Sequence, residues 1–261
     1  MSEYKNLLAA ESEGVLTVTL NRPERLNALT DELLSALLGA FKSAARNPSV
    51  RCVVLTGAGS GFCAGQDLRT PRTDGPISLR DHMLANHIPL MLAIEALEKP
   101  VVAAINGACV GAGLAIALSC DLRLAAQTAT FRAGFIGIGL APDCGASYWL
   151  PRLIGPAHAA EMLFTNDSMD ALTAERLGLV SRVLPDAELA AAAHTLAVRL
   201  AAGPTVALGL TKRALKHALH ASFAGTLEYE AHLQDAAGRT NDFAEGVTAF
   251  LQKRKPKYTG N

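Results

Sequence analysis

The sequence predicts an α/β fold built round a buried sheet. Short β-branched runs alternate with segments of about a dozen residues that carry helical periodicity. After about Val183 the pattern changes, and from Asp186 onward the chain is almost wholly helical. Composition supports a sizeable core: 50% of the 261 residues are hydrophobic and 18% are charged, which excludes wholesale disorder. At about 150 residues per domain this is one large domain, or one domain with an appendage. The helical tail is too short and too alanine-rich for a separate domain, and is expected to pack against the first part or against neighbouring subunits.

Gly14 to Asn21 (GVLTVTLN) is bounded by turn residues and reads as a strand that Pro23 ends. Thr30, Asp31 and Glu32 supply an N-cap and first-turn acids. Leu33, Leu34, Leu37, Leu38 and Phe41 form the apolar stripe of a helix that runs to Ala45. RCVVLTG is a second strand and leads into the loop GAGSGFCAGQD. Residues 69–76 are polar, punctuated by Pro and Gly, and read as a mobile loop; a helix follows to Leu97. VVAAIN is a strand, followed by a glycine-rich turn, a helix over 113–119 and the strand DLRLAA. Four helical segments close the chain: LAAAAHTLAVRLAA, TVALGLTKRALKHAL, GTLEYEAHLQDAAG and NDFAEGVTAFLQKRK.

Charge and cysteine usage exclude several classes. Lys plus Arg and Asp plus Glu both number 24, so the net charge is zero. That argues against a nucleic-acid protein relying on phosphate neutralisation, and fits an obligate oligomer. The five cysteines (Cys52, Cys63, Cys109, Cys120 and Cys144) are odd in number, lack C-x-x-C spacing and lie in apolar settings. They read as buried, reduced thiols rather than a disulfide framework or zinc site. The N-terminus is acidic and shows no signal-peptide h-region. The longest apolar run, VVAAINGACVGAGLAIAL, is broken by glycines and Asn106, and reads as a strand plus a buried helix rather than a membrane span. A cytoplasmic protein is expected.

Two glycine-rich turns follow predicted strands, one over 56–68 and one over 106–114. Small residues let backbone approach a ligand and leave N–H groups free to donate. In the second turn these groups also sit at the positive end of a helix dipole, so the pair could polarise an acyl carbonyl. For either turn alone, close packing of helix on strand is the favoured explanation. Neither turn has the Gly-Lys-Ser/Thr of a P-loop. The second has a dehydrogenase-like glycine spacing, but lies far from a first strand, without the acidic residue or Tyr-x-x-x-Lys pair that would support nicotinamide binding. Ser60 lacks the flanking glycine of a nucleophile elbow.

The runs NRPERLNAL, FCAGQDL, AAINGACVGAGLAIALSCDLRLA, FRAGFIGIGLAPDCGASYWLPRLIG and GVTAFLQKRKPKY resemble, in order and spacing, the crotonase superfamily, the enoyl-CoA hydratase/isomerase family. The resemblance covers nearly the whole chain. It implies a spiral of β-β-α units, with an acyl-CoA-binding core over 1–197 and a helical oligomerisation region over 198–261. It implies a homotrimer, or a hexamer made of two trimers, with no nucleic-acid or membrane partner. The substrate it implies is an acyl-CoA thioester, so coenzyme A enters with the substrate and neither cofactor nor metal is expected. It also implies an oxyanion hole of two backbone N–H groups, which fall on Gln66 and Ala112. Ala112 stands where glycine is usual; the backbone donor survives and the pocket is tighter.

The departure lies in the carboxylates. Family members that hydrate enoyl-CoA carry glutamates at the positions of Ala115 and Phe135, which cannot hold a water for addition. One acid remains near the expected site, Asp143 in GLAPDCG. Among apolar neighbours, a partly desolvated carboxylate is a competent base for a carbon acid beside a thioester; the competing role is an N-cap for the helix that starts near Gly145. Acid at this position resembles the isomerase branches, most closely the 2-(1,2-epoxy-1,2-dihydrophenyl)acetyl-CoA isomerases. It also resembles 4-chlorobenzoyl-CoA dehalogenase, where aspartate is a nucleophile and a histidine on the preceding helix assists. His87 lies in that region one residue out of register, and reads better as a surface or packing histidine.

For the nucleotide and pantetheine path the resemblance implies Arg25 as a phosphate contact and Leu26, Ala28, Ala64, Asp67 and Leu68 as lining. Phe250 and Lys253 would reach a neighbouring subunit's coenzyme A; the cations near Lys253 also suit a helix C-terminus. Asp121 reads as structural. Trp149, Phe135 and Met91 are candidate walls for a ring, or core. The expected activity is an acyl-CoA isomerase with Asp143 as proton shuttle. An aspartate-nucleophile dehalogenase or thioester hydrolase, and a non-catalytic acyl-CoA-binding scaffold, are the alternatives.

Overall fold

A computed structural model describes residues 6–69 and 78–261. The chain opens with a hairpin, β1 (Leu7–Ser12) and β2 (Val15–Leu20), that sequence reading started only at its second strand. Glu13 and Gly14 connect the two with φ of 52° and 76°, the paired left-handed conformation of a tight two-residue turn. An acidic, weakly alternating N-terminus hides β1; the Glu-Gly turn was its one visible sign.

α1 (Asp31–Arg46) starts at Thr30, whose Oγ1 accepts from Leu33 N–H, and buries the leucine stripe with Phe41. The chain then repeats one unit. β3 (Cys52–Gly57) lies in a large sheet and β4 (Gly61–Cys63) in a small one, and a helix returns: α2 (Leu79–His82), a π turn (Met83–His87) and α3 (Ile88–Ala96). β5 (Val101–Ile105), β6 (Ala108–Val110) and α4 (Ala112–Ser119) form the next unit. β7 (Leu122–Ala126), β8 (Thr130–Arg132) and α5 (Ala146–Thr165) follow, with α5 kinked at Gly155 before Pro156. β9 (Met169–Asp170), α6 (Ala171–Leu177) and β10 (Arg182–Leu184) complete the winding.

The large sheet runs β1-β2-β3-β5-β7-β10, parallel except for β1, and the small sheet runs β4-β6-β8-β9, parallel except for β9. Each turn therefore adds one strand to both sheets, which is the expected spiral of β-β-α units. β4 and β6 fall inside the two glycine-rich segments read from sequence as turns. α4 is buried along its entire length, as its all-apolar sequence demands. Among the described residues no helix is long and apolar enough to cross a membrane.

α7 (Leu189–Ala201) packs on β2, β3, β5 and β7, so the helical tail begins as part of the core. α8 (Thr205–Ala218), α9 (Phe223–Gly238) and α10 (Asn241–Leu251) follow and leave Leu215, Phe223, Phe243, Phe250 and Leu251 exposed. All five cysteines are free and buried. Burial pushes the Cys52, Cys63 and Cys120 thiols up to about 12.

Candidate active site

Two loops meet where the small sheet gives way to α4. A parallel bridge pairs Leu29 with Gln66: Leu29 N–H donates to Gly65 O at 2.7 Å, and Asp67 N–H donates to Leu29 O at 2.9 Å. This pairing leaves the Gln66 amide on the opposite side of the strand. Ala112 is the first residue of α4, so its N–H has no acceptor within the helix. Among the described residues neither Gln66 N–H nor Ala112 N–H donates to a protein acceptor. Glycine brings the loops together. Gly65 has φ of 88°, and a Cβ there would stand 3.0 Å from Val110 O and 3.5 Å from Ala112 N. A Cβ at Gly113 would fall 2.4 Å from Cys63 O, so only glycine lets α4 sit this close to β4.

Asn27, fully buried, fixes the approach to these loops. Its Nδ2 donates to Ala58 O and Gly61 O at 2.9 and 2.7 Å, and its Oδ1 accepts from Arg22 N–H. Ala64 N–H donates to Leu26 O at 2.9 Å, which joins two of the residues expected along the coenzyme A path.

Gln66, Ala112 and Asp143 line one cavity of about 680 Å³, together with Ala64, Leu68 and Phe135. Three residues expected from sequence at the centre of the chemistry thus share a single space. Asp143 follows Pro142 in the turn before α5, where Cys144 and Gly145 both take left-handed φ of 51° and 84°. The N-cap of α5 is Gly145 and no side chain caps it, so the competing role for the Asp143 carboxylate is not the one it fills. Asp143 Oδ1 is buried without a hydrogen-bond partner, an arrangement that typically costs about 1–3 kcal/mol. Burial, then the neighbouring Asp143 charge, raises the Cys144 thiol far above its ordinary value.

His87 is neither a surface residue nor ordinary packing. It is 6% exposed, lines the cavity, and sets Nε2 3.0 Å from Gln66 Oε1, while Nδ1 is buried without a partner. The π turn explains the apparent slip in register: it adds one residue to the helix and so carries His87 onto the cavity face. Burial lowers its pKa; Asp143 opposes that, His82 reinforces it and Asp31 opposes it. His82 Nε2 in turn pairs with Asp31 Oδ1 at 2.7 Å.

The ring-wall expectation divides. Phe135 lines the cavity, whereas Met91 and Trp149 pack against the core and Met83 and Leu140 take the wall positions instead. Ala115 is fully buried outside the cavity wall. Arg132 and Asn166 also border it, with Arg132 Nε donating to Asn166 O at 2.7 Å and Gly134 N–H to Asn166 Oδ1 at 2.7 Å. Asp121 is structural as expected: its Oδ2 accepts from Val101 N–H and from Lys212 Nζ, each at 2.8 Å. Arg25, Leu26, Ala28 and Asp67 border the loops rather than the cavity wall; Phe250 and Lys253 lie at the end of α10, away from this chain's own cavity. From Thr70 on, the loop expected over 69–76 lies outside the described residues. Among the described residues no three His, Cys, Asp or Glu side chains cluster as metal ligands would.

Comparison with known proteins identifies the relatives of this arrangement. A family model described as enoyl-CoA hydratase/isomerase matches residues 10–261. An Escherichia coli K12 protein named 1,2-epoxyphenylacetyl-CoA isomerase is 42% identical over 257 residues, covering 97% of this chain and 98% of its own. A Rhodobacter capsulatus protein named "Probable enoyl-CoA hydratase" is 40% identical over 257 residues, covering 98% and 99%. The crystal structure of an enoyl-CoA hydratase from Bacillus anthracis superposes with a TM-score of 0.92 at 31% identity, covering 98% of this chain and 100% of that one.

Proposed function

This chain belongs to the enoyl-CoA hydratase/isomerase family, whose members act on acyl-CoA thioesters, and on that premise we propose that it is an acyl-CoA isomerase. One observation carries the reading. Gln66 and Ala112, whose amides donate to no protein acceptor among the described residues, line one cavity with Asp143, while Ala115 and Phe135 stand where the family resemblance puts the hydratase glutamates.

The thioester oxygen accepts from Gln66 N–H and Ala112 N–H. These donors meet the negative charge that develops as the neighbouring C–H is broken, each typically contributing about 3–4 kcal/mol to the transition state. Asp143 removes that proton as a carboxylate and returns it at another carbon, a shuttle that needs no bound water. Unsaturated acyl chains and aryl or ring-epoxide thioesters fit this chemistry; the similarity to the E. coli protein supports the latter. Arg25, Leu26, Ala28, Ala64, Asp67 and Leu68 would bind coenzyme A. Phe250 and Lys253 would reach the coenzyme A of a neighbouring subunit through a trimer or hexamer formed by residues 198–261. The exposed apolar residues of α8–α10 support such an assembly, and five buried free thiols fit a reducing cytoplasm.

The test is incubation with a panel of unsaturated and aryl acyl-CoA esters in deuterated water, read by mass spectrometry. Wild-type protein is expected to wash deuterium into the carbon beside the thioester, and Asp143→Asn to lose exchange while still binding the ester. Retained exchange removes Asp143 as the base. Single turnover in heavy-oxygen water leaves Asp143 unlabelled on this reading; label in its carboxylate would establish nucleophilic chemistry instead. Tight binding without exchange by wild-type protein would leave a scaffold.

A further inference from the structure

Among the described residues, two buried side-chain atoms lack any hydrogen-bond partner, His87 Nδ1 and Asp143 Oδ1, and both belong to residues that line the same cavity. Other buried polar groups here are satisfied, as is usual in folded chains: Asn27 and Asp242 each engage several partners. Two orphans in one cavity wall, carried by separate elements, mark groups held for a ligand.

The state of the imidazole follows from its contact. Gln66 Oε1 can only accept, so Nε2 carries the hydrogen at 3.0 Å. A neutral ring with hydrogen on Nε2 has its lone pair on Nδ1. The charged and titratable groups that face this ring are Asp143, His82 and Asp31, with Asp31 already paired to His82. A second observation is independent of the first: the helix bearing His87 breaks into a π turn over Met83–His87, a geometry seldom kept except where a side chain must be re-aimed.

Building on the enolate reading above, we propose that His87 is the second proton-transfer residue of this site. The steps balance within the site. Asp143 takes a proton from the carbon beside the thioester: C–H breaks, O–H forms, and the electron pair enters the enolate held by Gln66 and Ala112. The proton then passes from Asp143 to His87 Nδ1: O–H breaks and N–H forms. The imidazolium delivers it to a remote carbon: N–H breaks, C–H forms with an electron pair of the extended enolate, and both groups return to their starting states. A lone carboxylate serves the two ends of a short allylic unit. A second, displaced group serves substrates whose two carbons lie farther apart, so the acyl class assigned is a conjugated polyene or an unsaturated ring.

The test compares a β,γ-enoyl-CoA ester with a conjugated dienoyl-CoA ester, using the full-length protein in deuterated water. Exchange beside the thioester and double-bond migration are measured separately. His87→Gln is expected to slow dienoyl isomerisation by about a hundredfold or more, a loss at least tenfold larger than its effect on exchange. Added imidazole is expected to restore part of that loss in His87→Ala. A wild-type measurement needs no variant: dienoyl isomerisation should fall as His87 protonates on the acid side, and exchange should not follow it there. Equal loss of exchange and isomerisation in His87→Gln would show that the ring only positions Gln66, and no loss would show that it does nothing; either overturns the proposal. Absence of exchange in wild-type protein would instead overturn the isomerase reading beneath it. Ester binding and circular dichroism of each variant separate these outcomes from misfolding, and matching limbs in the two wild-type pH profiles would also overturn the proposal.

Discussion

The guanidinium of Arg22 closes on Asp67 Oδ2 at 2.9 Å while its other arm donates to Ala28 O at 2.5 Å, which ties the segment after β2 to the loop that carries Gln66. Both side chains are mostly shielded from solvent, and Arg22, followed by the Arg69 N–H, holds the Asp67 carboxyl below its ordinary 3.8. Removing the cation leaves a carboxylate with little water around it. Arg22→Met is therefore expected to cost about 1–3 kcal/mol in urea denaturation and to lower kcat/KM through a looser Gln66. Because the folded pKa is depressed, this contribution is full above 3.8 and fades as pH falls through the folded value. An unchanged denaturation midpoint at neutral pH would refute it.

The donor role proposed for Ala112 can be isolated without disturbing the fold. It occupies the first position of α4, where proline is well tolerated because that N–H has no helical partner. Ala112→Pro is expected to lower kcat by about 10²–10³ with little change in stability, whereas Ala112→Gly keeps the donor and stays near wild type. Steady-state kinetics on the pair would decide the point.

Gly65 offers a complementary probe. Its positive φ is strained for any side chain, and an added Cβ would press on Val110 O and stand beside Ala112 N. Gly65→Ala is expected to cut kcat more than it raises KM, since it disturbs the space between the two proposed oxyanion donors. A rise in KM alone would place the thioester elsewhere.

Burial of neutral His87 leaves a mark on stability. Its folded pKa lies below the ordinary 6.5, so between those two values the unfolded chain binds more protons than the folded one. The favourable balance is complete above 6.5 and diminishes as pH falls toward the folded value. Chemical denaturation from about pH 7 to about pH 5 should show a steeper loss in wild type than in His87→Gln. Parallel curves would contradict the burial of an uncharged ring.

The C-terminal tail folds back onto α10 through one buried carboxylate. Asp242 accepts from Thr259 N–H at 2.7 Å and Gly260 N–H at 2.8 Å, and Arg51 grips the same region through Tyr258 O and Thr205 Oγ1. Asp242→Ala strands these amides and is expected to cost about 2 kcal/mol and to expose the final residues to carboxypeptidase. A tail equally protected in the variant would show that the remaining contacts, those of Arg51 and Glu245 among them, hold it.

Much of this was legible in the sequence, for identifiable reasons. The α1 stripe, the β-branched runs and the Gly-rich turns have local periodicity and spacing, while Gln66, Ala112 and Asp143, which share one cavity, stood out through the family resemblance. What stayed hidden depends on partners far away in the chain. β4, β6 and β8 are three residues each, too short to show alternation, and exist because each pairs with its neighbours in the small sheet. Asn27 and Arg22 look like ordinary loop residues until their acceptors are brought to them. Met91 and Trp149 had the right chemistry for a wall, but the winding of the helices turns them to the core. His87 escaped because helical counting assumes a constant repeat, and the π turn changes that repeat by one.

That irregular turn also shapes how this pocket could diverge. An extra residue in a helix is absorbed locally, so losing one residue between Met83 and His87 would restore regular winding, keep the flanking helices in place and re-aim the side chains within the turn, His87 and Met83 among them. Deletion at this spot would exchange the groups facing the acyl chain in one step, leaving both sheets and the loops at Gln66 and Ala112 untouched. Specificity here can thus be rewritten by changing the length of a helix rather than the identity of its side chains.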